Sequence, residues 1–237
     1  MYNLQMEFTK SLIKGKLIKR YKRFFTDVKL EKEIVTAHCP NTGSMKGLLD
    51  EGNKVYLSES DNEKRKLKYT LEVIKLKSKH VGVNTHRTNR IVEKALNEKV
   101  FTFIKNIKEI RREVKYGENS KIDFLVTTSK EQAYIEVKNV TLARNKSVAE
   151  FPDAVTARGT KHLIELGKLK KKGIRAIMLY IVQRDDCKSF QLAKDIDPTY
   201  AENLDKAMKR GVEVFCYDCK FSNKDILINR EIKFIND

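Results

Sequence analysis

Residues 12–30, LIKGKLIKRYKRFFTDVKL, alternate apolar and basic side chains with a period near two, the spacing of half-buried strands. EIVTAHC (33–39), KVYLSE (54–59) and YTLEVIKLKS (69–78) continue it, with turn chemistry at Pro40-Asn41-Thr42-Gly43 and at Asp61-Asn62. About five strands in so short a stretch predict a small β-barrel or curled sheet. The pattern then changes. NRIVEKALNEKVFTFI (89–104) predicts a helix with Ile91, Val92, Ala95 and Leu96 on one side. Strand-like runs follow at 121–127 and 132–138. Next come a helix over 157–172, the strand RAIMLYIVQ (175–183), the helix PTYAENLDKAMKRG (198–211) ending at Gly211, and the strand VEVFCYD (212–218). That order predicts an α/β domain with a mixed sheet. The change of pattern near 80–86 divides the chain into a barrel over residues 1–82 and an α/β domain over 83–237.

Composition narrows the class. At 237 residues and 41% hydrophobic, the chain can build a real core. It has no apolar run of membrane-span length and no apolar signal core at its N-terminus, so a soluble, cytoplasmic protein is expected. Cys39, Cys187, Cys216 and Cys219 do not suggest a disulfide framework. Cys216 and Cys219 form a CxxC, but no second pair stands ready to complete a zinc site. Lysine plus arginine total 49 against 32 aspartate plus glutamate, a net charge of +17. Such an excess points to a polyanion, nucleic acid first, unless it merely reflects a lysine-rich composition.

The chemistry concentrates in KIDFLVTTSKEQAYIEVK, residues 121–138. Strand alternation puts Ile122, Phe124 and Val126 on one face and Asp123 on the other, while Glu136 and Lys138 lie opposite Ile135 and Val137. A hairpin turning about Ser129–Lys130 sets Asp123 across from Glu136, with Cβ atoms about 5 Å apart. Two carboxylates so placed repel unless a hard cation sits between them, and oxygen ligands suit Mg²⁺ or Mn²⁺. Lys138 is then placed to hold or deprotonate a water or to stabilise charge on a phosphate. The plain alternative is a solvated strand face on which Glu136 and Lys138 stay wet.

The spacing Asp123…Glu136-Val137-Lys138 resembles the PD-(D/E)xK nuclease core. The whole chain resembles the sugar fermentation stimulation protein family of prokaryotes, through GKLIKRYKRF (15–24), AHCPNTGSMKGLL (37–49), VNTHRTNRIVEKAL (83–96), REVKYGENSKIDFLV (112–126), IEVKNVTL (135–142) and FPDAVTARGTKHLIEL (151–166). The resemblance implies an N-terminal OB-like β-barrel followed by a nuclease-like α/β domain, DNA binding, and a link to regulation of sugar metabolism genes. It implies Asp123 and Glu136 as metal carboxylates, Lys138 as the motif lysine, and Glu93 as the first-helix acid. The proline of the motif name is absent; Lys121-Ile122 stands there.

Three further stretches carry candidate contacts to nucleic acid. Arg158, Lys161 and His162 share an arc of roughly 100° on the predicted helix, either facing phosphate or forming a wet face. Asp153 suits a turn or cap after Pro152. In HCPNTGSMKGLL, a turn followed by a short helix from Ser44 would form an anion nest beside His38, Asn41 and Lys46; alternatively, Asn41 and Thr42 bond their own backbone. Lys19, Arg20, Lys22 and Arg23 interleave with Tyr21, Phe24 and Phe25, either as a stacking surface or with aromatics inward and cations outward. Two functions stay open: a Mg²⁺- or Mn²⁺-dependent phosphodiesterase acting on DNA or RNA, and a DNA-binding regulator that keeps the scaffold without its chemistry.

Overall fold

A computed structural model of the chain describes residues 8, 10–116, 120–222 and 225–236. Most of the first nine residues, and residues 117–119 of the REVKYGENSKIDFLV stretch, therefore lie outside the described residues. The alternating N-terminal stretch folds as expected into β1 (Ile13–Tyr21), β2 (Phe25–Lys29), β3 (Ile34–His38), β4 (Lys54–Glu59) and β5 (Tyr69–Leu76). They close in the order β1-β2-β3-β5-β4, with β3 and β5 meeting in parallel at Ala37↔Tyr69 and His38↔Thr70. A sixth strand, β6 (Lys79–Gly82), continues from β5. Leu17, Val28, Ala37, Val55, Leu57, Leu71 and Ile74 fill the barrel. The β1–β2 turn has no Gly or Pro to announce it, because Lys22 and Arg23 themselves take the left-handed conformation at φ 47° and 62°.

The second half is built on a six-stranded mixed sheet ordered β15-β14-β12-β9-β8-β7. Its strands are β7 (Ile107–Tyr116), β8 (Ser120–Thr128), β9 (Gln132–Val140), β12 (Arg175–Val182), β14 (Glu213–Phe221) and β15 (Ile226–Glu231). β12 runs parallel to both β9 and β14; the other neighbours are antiparallel. One face carries α2 (Ala157–Lys171) and α3 (Pro198–Lys209), whose Leu163, Leu166 and Tyr200 pack in one core with Met178 and Tyr180 of β12. The other carries α1 (Thr88–Asn97) over Val126, Ile135, Val137, Ile177 and Leu179. A smaller sheet, β10-β11-β13-β16, comprises β10 (Leu142–Asn145), β11 (Val148–Phe151), β13 (Ser189–Leu192) and β16 (Lys233–Ile235). No helix among the described residues is long and apolar enough to cross a membrane.

Several details differ from the sequence expectations. The helix expected over 89–104 ends at Asn97. There the Val100 N–H reaches the Ala95 carbonyl at 2.9 Å and the Lys99 N–H the Leu96 carbonyl at 3.2 Å, with Lys99 at φ 57°. That is the Schellman stop, made with lysine where glycine is usual, so composition did not flag it. Phe101 and Ile104 nevertheless enter the core from the loop. No helix begins at Ser44, and the loop amides are not free: the Met45 N–H donates to Asp153 Oδ2 at 3.3 Å. Asp153 thus reaches across to the barrel instead of capping α2, whose N-cap is Thr156. Asn41 Oδ1 accepts the Gly43 N–H at 2.9 Å, the backbone-turn alternative.

The barrel is joined to the larger domain by β6. The Gly82 N–H donates to the Gln183 carbonyl at 2.9 Å and the His80 N–H to Asp185 Oδ1 at 2.9 Å. Beneath this seam, Glu72 of β5 is 1% exposed and collects Ser58 Oγ, Asn84 Nδ2 and the Arg87 guanidinium.

Candidate metal centre

The hairpin β8–β9 turns at Ser129–Lys130, with Phe124↔Ile135, Leu125↔Tyr134, Val126↔Ala133 and Thr127↔Gln132 in register. One further step on this register sets Asp123 opposite Glu136. The ladder ends just there for a local reason. Asp123 Oδ2 accepts the Val137 N–H at 2.8 Å, so a side-chain oxygen stands where a backbone carbonyl would continue the pairing. The bend changes the facing of β8. Ile122 does not share the face of Phe124 and Val126 but packs on the α2 side with Leu125. Sequence alternation cannot reveal this, since it depends on where Asp123 finds its donor.

Glu136 is 2% exposed and lies on the face covered by α2. Its Oε1 is crowded: Lys138 Nζ approaches to 2.7 Å and His162 Nδ1 makes a short contact. Lys138 Nζ also lies 3.1 Å from His162 Nδ1. That nitrogen cannot both accept from the ammonium and meet a carboxylate oxygen without repulsion, so the proton sits on Nδ1 and is donated to Glu136. Glu136 Oε2 is buried and has no hydrogen-bond partner among the described residues. An orphaned carboxylate oxygen is costly in a protein interior, and a cation is its natural complement. Asp123 is held from a second side by Asn89 Nδ2 of α1, at 2.8 Å from Oδ1. Two carboxylates at opposed positions of one hairpin are a donor set that fits a hard divalent ion. Among the described residues no group of three or more His, Cys, Asp or Glu side chains is arranged to hold a metal, so water or substrate oxygens would complete the shell.

Burial, reinforced by the charge of Glu136, raises the Asp123 carboxyl above its ordinary value, against the Val137 and Asn89 hydrogen bonds and the Lys138 charge. Burial also pushes Glu136 up, but Lys138 and His162 together more than offset it, and its carboxyl lies below its ordinary value. The phenol of Tyr116, whose hydroxyl is buried without a partner among the described residues, is driven up by burial and then by Glu136, Glu165 and Asp123. It remains a neutral donor. A sign follows for stability. Because Asp123 holds its proton more tightly when folded, the metal-free protein loses stability as pH rises from about 4 through the raised Asp123 value. Asp123→Asn, with Asn89 turning its amide, removes that loss. Thermal melts from pH 4 to 8 in chelator should show the variant gaining on the parent toward neutral pH; parallel profiles would contradict the assignment.

The remaining predicted residues separate into groups. His162 joins the centre, on the buried side of α2, while Arg158 and Lys161 are exposed on the first turns of the same helix. The three therefore do not form one wet face. Glu93 lies one turn beyond Asn89 on α1 and pairs with Arg112 of β7 at 3.1 Å. Asn89, not singled out in the sequence, touches Asp123; its position four residues before Glu93 was the available signal. On the barrel, Arg20 donates to the backbone carbonyls of Asn41 and Arg23, at 2.7 and 3.2 Å. Lys19 lies 3.9 Å from Asp27 and over the Tyr21 ring, which stacks on Phe25. Asn41 is buried; Lys22, Arg23 and Lys46 are exposed. His38 is lowered by burial and by Arg65 and His86. Cys216 and Cys219 are buried free thiols on opposite faces of β14, as odd spacing in a strand requires.

Comparison with known proteins places this architecture. A family model described as the SfsA N-terminal OB domain matches residues 18–83, and one described as the sugar fermentation stimulation protein RE domain matches residues 86–225. A sugar fermentation stimulation protein homolog from Pelagibacter ubique (strain HTCC1062) is 56% identical over 231 residues, covering 98% of this chain and 100% of the relative. One from Maricaulis maris (strain MCS10) is 47% identical over 230 residues, covering 96% and 98%. The solved structure of Pyrococcus furiosus SfsA in complex with Ca²⁺ is similar at a TM-score of 0.88 with 27% identity, over 97% of this chain and 98% of that one. With an OB-like closed barrel leading into a mixed-sheet α/β domain, and two family models that together span most of its length, the chain belongs to the sugar fermentation stimulation protein family.

Proposed function

We propose that this protein is a divalent-cation-dependent phosphodiesterase acting on nucleic acid, DNA first, with Mg²⁺ or Mn²⁺ held by Asp123 and Glu136. The observation that carries the reading is the buried Oε2 of Glu136, without a hydrogen-bond partner among the described residues, on the residue opposed to Asp123. The Ca²⁺ complex of the Pyrococcus furiosus relative supports a hard divalent ion for this architecture. When bound, such an ion polarises a phosphoryl oxygen and lowers the pKa of a water.

The chain's own residues divide the remaining work. Asn89 and the Val137 N–H fix the Asp123 carboxylate. His162 donates Nδ1–H to Glu136 Oε1, which leaves Oε2 for the cation. Lys138, anchored on the same carboxylate, orients an attacking water and balances charge building on the phosphate. Tyr116 offers a neutral hydroxyl beside these charges. Arg158 and Lys161, exposed on α2, take phosphate oxygens of the strand, and Glu93 steadies Arg112 at the periphery.

The test incubates purified protein with single-stranded and duplex DNA and with RNA, with Mg²⁺ or Mn²⁺, beside an Asp123→Ala/Glu136→Ala variant. Cleavage by the parent alone is expected. Binding by both without cleavage by either would overturn the catalytic reading in favour of a regulator that only binds.

A further inference from the structure

The register of the barrel brings together four lysines that are far apart in sequence. Lys29 of β2 is directly opposed to Lys16 of β1, Lys16 to Lys54 of β4, and Lys54 to Lys75 of β5. The result is one row of like charge crossing four strands, and Lys14 lies beside it on β1. Directly opposed residues share a face, and like charges in that position repel. At about 4.8 Å between strands the row spans roughly 15 Å. These five lysines line a single groove of about 560 Å³ in which Glu31 is the one acid among the described residues. No ion pair joins any of them to a described residue. Four opposed cations along a sheet are an arrangement that an external polyanion would complete.

The adjoining cleft indicates which polyanion. It is reached past Lys14 and Tyr56, which line both, and is walled by Tyr56, His80 and Phe221. His80 lies 6.2 Å from the Tyr56 ring and 5.6 Å from that of Phe221. Cations in a row beside clustered aromatic rings suit a chain that alternates phosphates with flat bases.

We propose that this lysine row is a phosphate track for a single nucleic-acid strand, separate from the carboxylate centre. The assignment rests on nucleic acid being the substrate class and adds the surface that holds it. It also moves the barrel's contact away from Lys19, Arg20 and Asn41, whose side chains or carbonyls are engaged within the barrel.

The test is fluorescence anisotropy of the full chain with a labelled single-stranded DNA oligonucleotide, in chelator, across a range of salt. The Lys16→Gln/Lys54→Gln variant should bind about tenfold more weakly, and its log–log salt slope should shrink by about 1.4, two contacts at 0.7 each. Its melting temperature should stay level or rise, since repulsion is relieved, so weak binding will not reflect misfolding. Lys206→Gln/Lys209→Gln, which removes the same charge from the exposed side of α3, should bind like the parent. A lysine variant that binds with the parent's affinity and slope would overturn the track. So would a variant that loses adhesion to phosphatidylserine vesicles while keeping the oligonucleotide. If the parent still cleaves in either case, only the track falls; a parent that binds no nucleic acid at low salt would remove the track and the substrate class together.

Discussion

Glu136→Gln should lower metal-dependent cleavage by about a thousandfold or more, equivalent to about 4 kcal/mol at the transition state. The reason is specific to its two oxygens. Oε1 anchors Lys138 and His162, and Oε2 is buried with no hydrogen-bond partner among the described residues. Glutamine keeps the shape but removes the charge that holds both the cation and the ammonium. Loss of one member of a buried pair is itself destabilising, by about 3–5 kcal/mol, so folding has to be followed by circular dichroism. Asp123→Asn gives a second route to the same loss, because it leaves the Glu136–Lys138 pair in place. Both variants should be inactive while folded. Activity within about tenfold of the parent for both would show that the chemistry does not run through these carboxylates.

Arg87→Ala should cost about 3–5 kcal/mol of stability, the largest effect expected away from the centre. Arg87 grips Glu72 through Nε at 2.6 Å and Nη2 at 3.1 Å, and Glu72 is 1% exposed. Without the guanidinium, Ser58 and Asn84 remain as donors, but the carboxylate is left charged in the barrel wall. For a chain of this size the melting temperature should fall by about 10 °C. Arg87→Lys should recover only part of it, since one ammonium cannot reproduce the two-point contact. Glu72→Gln/Arg87→Met should recover more, because no unpaired charge is buried. Calorimetry of the three variants decides: a drop of under about 1 kcal/mol for Arg87→Ala would mean that water reaches Glu72.

The features legible in the sequence were those set by local spacing. Five barrel strands showed through alternation, α2 and α3 through helical period, and the Asp123–Glu136 opposition through a short hairpin whose register a two-residue turn fixes. What stayed hidden depends on partners distant in the chain. β7 reads as a charged stretch because it is an edge strand with one half-wet face. The four strands of the smaller sheet have only three or four residues each, too few for a pattern. Asp153 looked like a local cap and instead meets the Met45 amide 108 residues away. His162 looked like part of a phosphate-facing arc and instead turns inward to Glu136. The lysine row could not be read at all until the pairing of β2, β1, β4 and β5 placed residues 29, 16, 54 and 75 side by side.

An anomalous difference map from crystals grown with Mn²⁺ shows directly whether Asp123 and Glu136 share one divalent ion. One peak is expected within about 2.0–2.3 Å of an Asp123 oxygen and of Glu136 Oε2, and it should be lost in Asp123→Asn/Glu136→Gln. Clear density for both side chains with no manganese between them, or manganese bound only elsewhere, would contradict it.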